Sequence, residues 1–308
     1  MRTLSTFLLL LAIAVGPAAA GVSFTHVYDL ADFTGTIRFG YVRVAMDQNQ
    51  NETYVVEGNV VRVFNDAGME VHRFSQDPQF GSLFSVTVDD AGDIYTLSYE
   101  TGVDNPRWIV NRCNYRGEPR ETLEVRGMPD SVAQFNPNQI FLREGRILLV
   151  NRFGMRAVEI DRTGAFVKDW DFGRLAEVDD NARPDTEISG FTVDQTGNML
   201  FTVPVMFRAF VVSPDGAVRT FGKAASAPGG FGIVSGIAVG PRGEVVVADK
   251  LRARVMVFDQ DLKFVGEFGG TPADPLVRPA DVSVDGAGRV YVSQGRGKGV
   301  SVYTVELN

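Results

Sequence analysis

GPRGEVVVADKLRARVMVF (Gly240–Phe258), flanked by GIAV (Gly236–Val239) and FVGEFGG (Phe264–Gly270), decides the architecture of this 308-residue chain. It reads as a short strand, a glycine turn, a second strand, a polar corner, a third strand and a fourth. Alternating or β-branched runs bounded by turn residues are the sequence form of half-buried strands. The same order recurs along the chain. The residues that close the first turn of each unit are Asn51, Gly92, Gly145, Gly197, Gly243 and Gly288, spaced 41 to 53 residues apart. A period of that length carrying several short strands is the signature of a propeller.

The turns share a chemistry. DDAGD (Asp89–Asp93), DQTGN (Asp194–Asn198) and DGAGR (Asp285–Arg289) open on an Asp able to accept backbone N–H groups and place Gly where a left-handed residue is needed. GPRGE (Gly240–Glu244) and REGR (Arg143–Arg146) keep the Gly and lose the Asp. In the first unit Asn51 replaces the Gly, as the next-best left-handed residue. Third strands are expected to end at Phe64, Cys113, Ile160, Val212, Phe258 and Tyr303. Four residues later in the first five units stand Gly68, Gly117, Gly164, Gly216 and the exception Leu262. Cys113 thereby falls in an apolar slot and reads as a small buried hydrophobe. Only five residues follow Tyr303, too few for a fourth strand. The alternating segment SFTHVYDL (Ser23–Leu30) is spare, and is expected to pair with the last unit and close the ring.

Composition bounds the function. The chain is 44% hydrophobic and 22% charged, enough for a large core. A net charge of −8 argues against nucleic acid as a partner. One Cys excludes an internal disulfide and C-x-x-C-H haem attachment, and two His residues, His26 and His72, limit metal and acid–base chemistry. Arg2, the apolar run Phe7–Val15 and the small residues Ala18 to Ala20 form a signal-peptide pattern over residues 1–20. A single domain over 21–308, exported to the periplasm or beyond, is therefore expected, with no membrane insertion after cleavage.

The unit GIAV…GEVVVAD…RVMVFD…FGG resembles the NHL repeat of six-bladed β-propellers. The resemblance is close over Gly236–Gly270 and fair over Asp281–Tyr303. In the earlier units strand pattern and glycines carry it. It implies an all-β, six-bladed propeller of four-stranded antiparallel blades, in which the corners joining strands two and three share a face with the mouth of the central channel. The fold leaves activity open.

Arg156, Arg208 and Arg254 would each begin a third strand. Arg152, Arg252, Arg296, Lys250 and Lys298 fall in the same corners, with Arg107 in the longer corner of blade two. Together they predict a basic face suited to a protein partner or an anionic ligand. First strands would begin near Arg43, Ser85, Asn138, Gln139, Gly190, Gly236 and Asp281, forming a polar channel mouth. The acidic stretch LAEVDDNARPDTE (Leu175–Glu187) lacks the glycine-centred calcium-loop pattern and reads as a solvated loop. GRGKGVS (Gly295–Ser301) lacks the phosphate-loop spacing. The leading expectation is a non-enzymatic interaction module with no catalytic residues, metal or cofactor. The alternative is a metal-dependent hydrolase or lyase in the funnel, lactonase-like or amidoglycolate-lyase-like. For the first, Asn138 and Asp281 lack an accompanying Glu; for the second, several His ligands are required.

Overall fold

A computed structural model of the chain describes residues 21–75, 81–100, 104 and 106–307; the expected signal peptide lies outside them. Six antiparallel four-stranded sheets are arranged in a ring, with one small extra hairpin. The innermost strands are Arg43–Asp47, Ser82–Val88, Gln139–Arg143, Phe191–Val193, Val234–Val239 and Pro279–Val284. In blade five the chain then runs outward through Val245–Asp249, Arg254–Phe258 and Phe264–Phe268. Val247 lies opposite both Ile237 and Met256, which fixes the alternation of side chains between the two blade faces.

The sixth blade is completed by the other end of the chain. Its order from the channel outward is Pro279–Val284, Arg289–Gln294, Gly299–Leu307 and Val22–Asp29. Val22 lies opposite Leu307 and Asp29 opposite Ser301. The third strand continues past its expected end at Tyr303, because Val22–Asp29 offers it a full-length partner. This pairing covers a strand edge that would otherwise be open to other chains. The Phe24 ring stacks on Phe268 of blade five at 4.9 Å. His26 lies on this outermost strand, paired with Asp29 at 3.2 Å, and His72 lies on the outermost strand of blade one.

The core sits between blades. Val246, Val255 and Phe268 of blade five pack with Val282, Val290 and Tyr303 of blade six. Leu148 and Trp170 of blade three pack with Phe201 and Phe210 of blade four, whose rings stack at 4.9 Å. Burial of this area is the main stabilising term, at about 25 cal/mol per Å² of apolar surface. Cys113 belongs to the cluster between blades one and two; burial pushes its thiol up to about 11. Phe264 lies partly exposed on an outer strand, its ring edge-on to that of Phe258 with centres 5.8 Å apart.

The predicted turn chemistry is present. Gly92, Gly197, Gly243 and Gly288 have φ near +80°, and Asn51 has φ +53°. The carboxylates of Asp89, Asp194 and Asp285 each accept two backbone N–H bonds within their turns. Leu262 adopts the same left-handed conformation, φ +67°, as the glycines at its equivalent positions. These turns make one face of the ring uniformly tight. The other face carries the strand two–three corners, and the longer segments that join one blade to the next end there.

Candidate functional site

The corner face surrounds the mouth of the central channel. All six innermost strands line this channel, whose volume is about 210 Å³. Neighbouring inner strands approach closely between blades four, five and six. A methyl group at Gly190 would overlap the Ser235 carbonyl oxygen, and one at Gly236 would lie 2.5 Å from the Asp281 Cα. Glycine at these two positions is thus a condition of strand approach. Hydroxyls stitch the inner strands together. Thr202 donates to the Ser235 carbonyl at 2.5 Å, Ser235 to the Pro279 carbonyl at 2.9 Å and Ser283 to the Val44 carbonyl at 2.6 Å.

In blades three, five and six the corner is held by the polar residue that ends the second strand. Asp249 accepts from the N–H groups of Gly232, Ile233, Leu251 and Arg252. Asn151 accepts from Gly154, and Gln294 from Val277. A polar side chain at this position closes the corner and leaves the following residues projecting around the mouth.

The expected basic residues divide into two groups. Arg252 makes a bidentate pair with Glu267 at 2.7 and 2.9 Å, and Arg254 lies 3.8 Å from the same carboxylate. Arg156 pairs with Asp171 at 3.1 Å, Arg107 with Glu100 at 2.9 Å and Glu124 at 2.6 Å, and Lys298 with Asp274. These five are neutralised locally. Arg208 and Arg296 are exposed, with no ion pair among the described residues.

Arg152 behaves differently. It donates to the Ser189 carbonyl at 2.8 Å, and its Nε is buried without a hydrogen-bond partner. It belongs to a cluster at the mouth with Arg43, Lys250 and Arg278 and the carboxylates Asp281 and Glu187. None of these six groups forms an ion pair within 4.0 Å among the described residues. Burial, together with repulsion from Arg152, pulls the Arg43 guanidinium down to about 9, against the pull of Asp281. Burial and the same arginine lower Lys250. Burial raises Asp281, although Arg43, Arg152 and Lys250 all oppose that shift. Four basic side chains thus face two acidic ones at the mouth, on a chain whose net charge is −8.

Among the seven residues expected at the mouth, Arg43, Ser85 and Asp281 line the channel. The Ser85 hydroxyl is committed to accepting the Ile140 N–H at 3.3 Å, and the Asn138 side chain accepts the Arg152 N–H at 3.4 Å. Both serve the framework. Gln139 also lines the channel, and its buried Oε1 has no hydrogen-bond partner.

An apolar ring around the mouth was absent from the sequence reading. Tyr41, Phe84, Phe153, Val205, Phe207, Ile233 and Leu251 are all exposed on this face, seven of the fifteen exposed large hydrophobics. Among the other eight, Met69 and Tyr115 lie in turns of the opposite face and Phe33 in the small hairpin that pairs with the Met69 turn, so the largest group of exposed apolar residues is the one on the corner face. The Arg152 guanidinium lies 5.7 Å from the Phe153 ring centre and Lys250 Nζ 5.8 Å from that of Tyr41. The acidic stretch folds as short helical turns over Phe172–Leu175, Asp180–Ala182 and Arg183–Thr186. Arg183 bonds both Asp171 and Asp180 there. Among the described residues no three His, Cys, Asp or Glu side chains converge as a metal site, and no helix is long and apolar enough to cross a membrane.

No protein-family model and no curated protein matches the sequence. Solved structures match the fold. A protein of unknown function from Bacteroides thetaiotaomicron is 14% identical, with 92% of this chain and 76% of that one covered, at a TM-score of 0.65. A catalytically inactive histidine-to-alanine variant of virginiamycin B lyase from Staphylococcus aureus, solved with quinupristin, is 12% identical over 88% and 83%, with a TM-score of 0.56. The WD40 β-propeller domain of Doa1 is 12% identical over 91% and 97%, with a TM-score of 0.55. At these identities the likeness is one of fold.

Proposed function

We propose that this chain is an exported, NHL-type interaction module that docks a protein partner on its corner face. The observation that carries this reading is the concentration of exposed aromatic and aliphatic side chains, interleaved with unpaired arginines and lysine, around the channel mouth. Aromatics and arginine are the residue types enriched at the energetic centre of protein interfaces, and large exposed apolar patches mark such surfaces. The partner would present apolar side chains to the ring and acidic groups toward its centre. NHL-repeat character rests on the Gly236–Gly270 pattern, and export on residues 1–20.

The alternative, a lyase or hydrolase in the channel, has less support. The lyase among the structural neighbours is inactivated by loss of one histidine, whereas both histidines of this chain lie on outermost strands.

The test is capture of partners from the extracytoplasmic fraction. The double variant Phe153→Ser, Leu251→Ser should lose the partner that the unmodified chain retains. Truncating a central interface anchor costs about 2 kcal/mol or more. Tyr115→Ser, on the opposite face, should retain it. Identical partner sets for all three proteins would refute the face.

A further inference from the structure

The centre of the corner face differs chemically from its apolar ring. Arg43 comes from blade one, Arg152 from the corner of blade three and Lys250 from the corner of blade five, so alternate blades each send one cation to the mouth. Like charges so placed repel one another, and Asp281 and Glu187 balance them only in part. Elsewhere on this face Arg107, Arg156, Arg252 and Arg254 lie beside carboxylates, and Arg208 and Arg296 project into solvent. The cations at the mouth form no ion pair among the described residues. Two polar groups there are also left unsatisfied: the buried Nε of Arg152, and the amide oxygen of Gln139, a residue only 3% exposed. Buried polar groups without partners mark places where a ligand or ordered water completes the bonding. The channel, at about 210 Å³, is smaller than the roughly 300–1,000 Å³ of drug-sized sites.

From Arg43 and Gln139 in the channel wall, with Arg152 held on the Ser189 carbonyl and Lys250 beside Tyr41 at the rim, we propose that the mouth binds a small oxyanion carrying two or more negative charges. Arg43, Arg152 and Lys250 hold its oxygens. Asp281 limits the affinity by repulsion, so that release stays possible. The Gln139 amide oxygen accepts from a hydroxyl of the ligand that enters the channel. The site rests on the same reading of the corner face as the working face, but needs no protein partner.

Isothermal titration of the full chain at low chloride, with citrate and separately with inorganic phosphate, tests it. At least one probe should bind one site per chain. Affinity should fall about tenfold or more in Arg43→Gln and in Arg152→Gln, the size expected for a charge-assisted contact, and should rise in Asp281→Asn. The probe that binds tighter shows whether the site takes carboxylates spread over several blades or a compact phosphate. Lys250→Gln and Asp281→Asn decide the matter if either arginine variant fails to fold. Absence of saturable binding by both probes, or affinities unchanged in the folded variants, overturns the anion site. Because the titration contains no partner, that result would leave protein docking by the outer ring untouched.

Discussion

Glycines in this chain serve two different needs, and substitution separates them. Gly92 is required by its backbone angle: φ is +80° and a methyl group there would meet nothing within 4 Å. Asn51 fills the equivalent position in blade one at φ +53°, so Gly92→Asn should change stability by no more than about 0.5 kcal/mol. Gly190 is required by space, since a side chain would run into the backbone of Ser235 and Gly236. Gly190→Ala should therefore cost about 1–3 kcal/mol, and lower Tm by several degrees in a chain of this size. Urea denaturation of the two variants checks both. The Asp and Gly of the turns were legible in the sequence because their role is local. The pairing of Arg156, Arg252 and Arg254 was not. Their acids lie on outer strands at Asp171 and Glu267, and nothing in the spacing distinguishes a paired arginine from a free one. The apolar ring was hidden for a related reason: exposure of Phe153 or Leu251 depends on where a corner projects, and a hydrophobic residue between strands reads equally well as core.

At the scale of the element, the segment after blade three is anchored through one carboxylate. Asp171 accepts from the Arg174 N–H at 2.9 Å and from Arg183 at 2.6 and 3.1 Å, and pairs with Arg156 at 3.1 Å. Burial works against its ionisation, but these donors prevail and hold it below its ordinary value of 3.8. A carboxyl whose folded pKa is depressed stabilises the native state above the unfolded value, and loses that contribution as pH falls through the folded one. The Tm difference between the unmodified chain and Asp171→Asn should thus be steady from neutral pH down to about 5 and shrink below about 4. Thermal melts across that range read it; a difference that grew on acidification would remove Asp171 as the anchor. The sequence reading expected a solvated acidic loop over Leu175–Glu187. Its acidic residues Glu177, Asp179, Asp180 and Asp185 are exposed as expected, on a backbone of short helical turns in which Arg183 bridges Asp171 and Asp180.

For the molecule as a whole, the six units, their strand order and the contribution of Ser23–Leu30 to the last blade could be read from periodicity, since a repeat imposes its register on every copy. The mouth cluster could be read only in part. Arg43 and Asp281 were visible as strand starts, whereas their meeting with Arg152 and Lys250 depends on ring geometry that no single unit contains. Closure should be worth measuring directly. Phe24→Ala removes the stack on Phe268 and the edge contact with Tyr303 at 6.3 Å. It should cost about 2 kcal/mol. Deleting Val22–Asp29 should go further and produce, through the uncovered Gly299–Leu307 strand, a concentration-dependent association that the unmodified chain lacks, as light scattering would show.

The strand Val22–Asp29 is made long before its partner Gly299–Leu307. Its fastening therefore has to wait for the last blade, and the contacts that complete the ring are the most distant in sequence and the slowest to find one another. Until Gly299–Leu307 has been made, the ring stays open and the chain is held short of its native state.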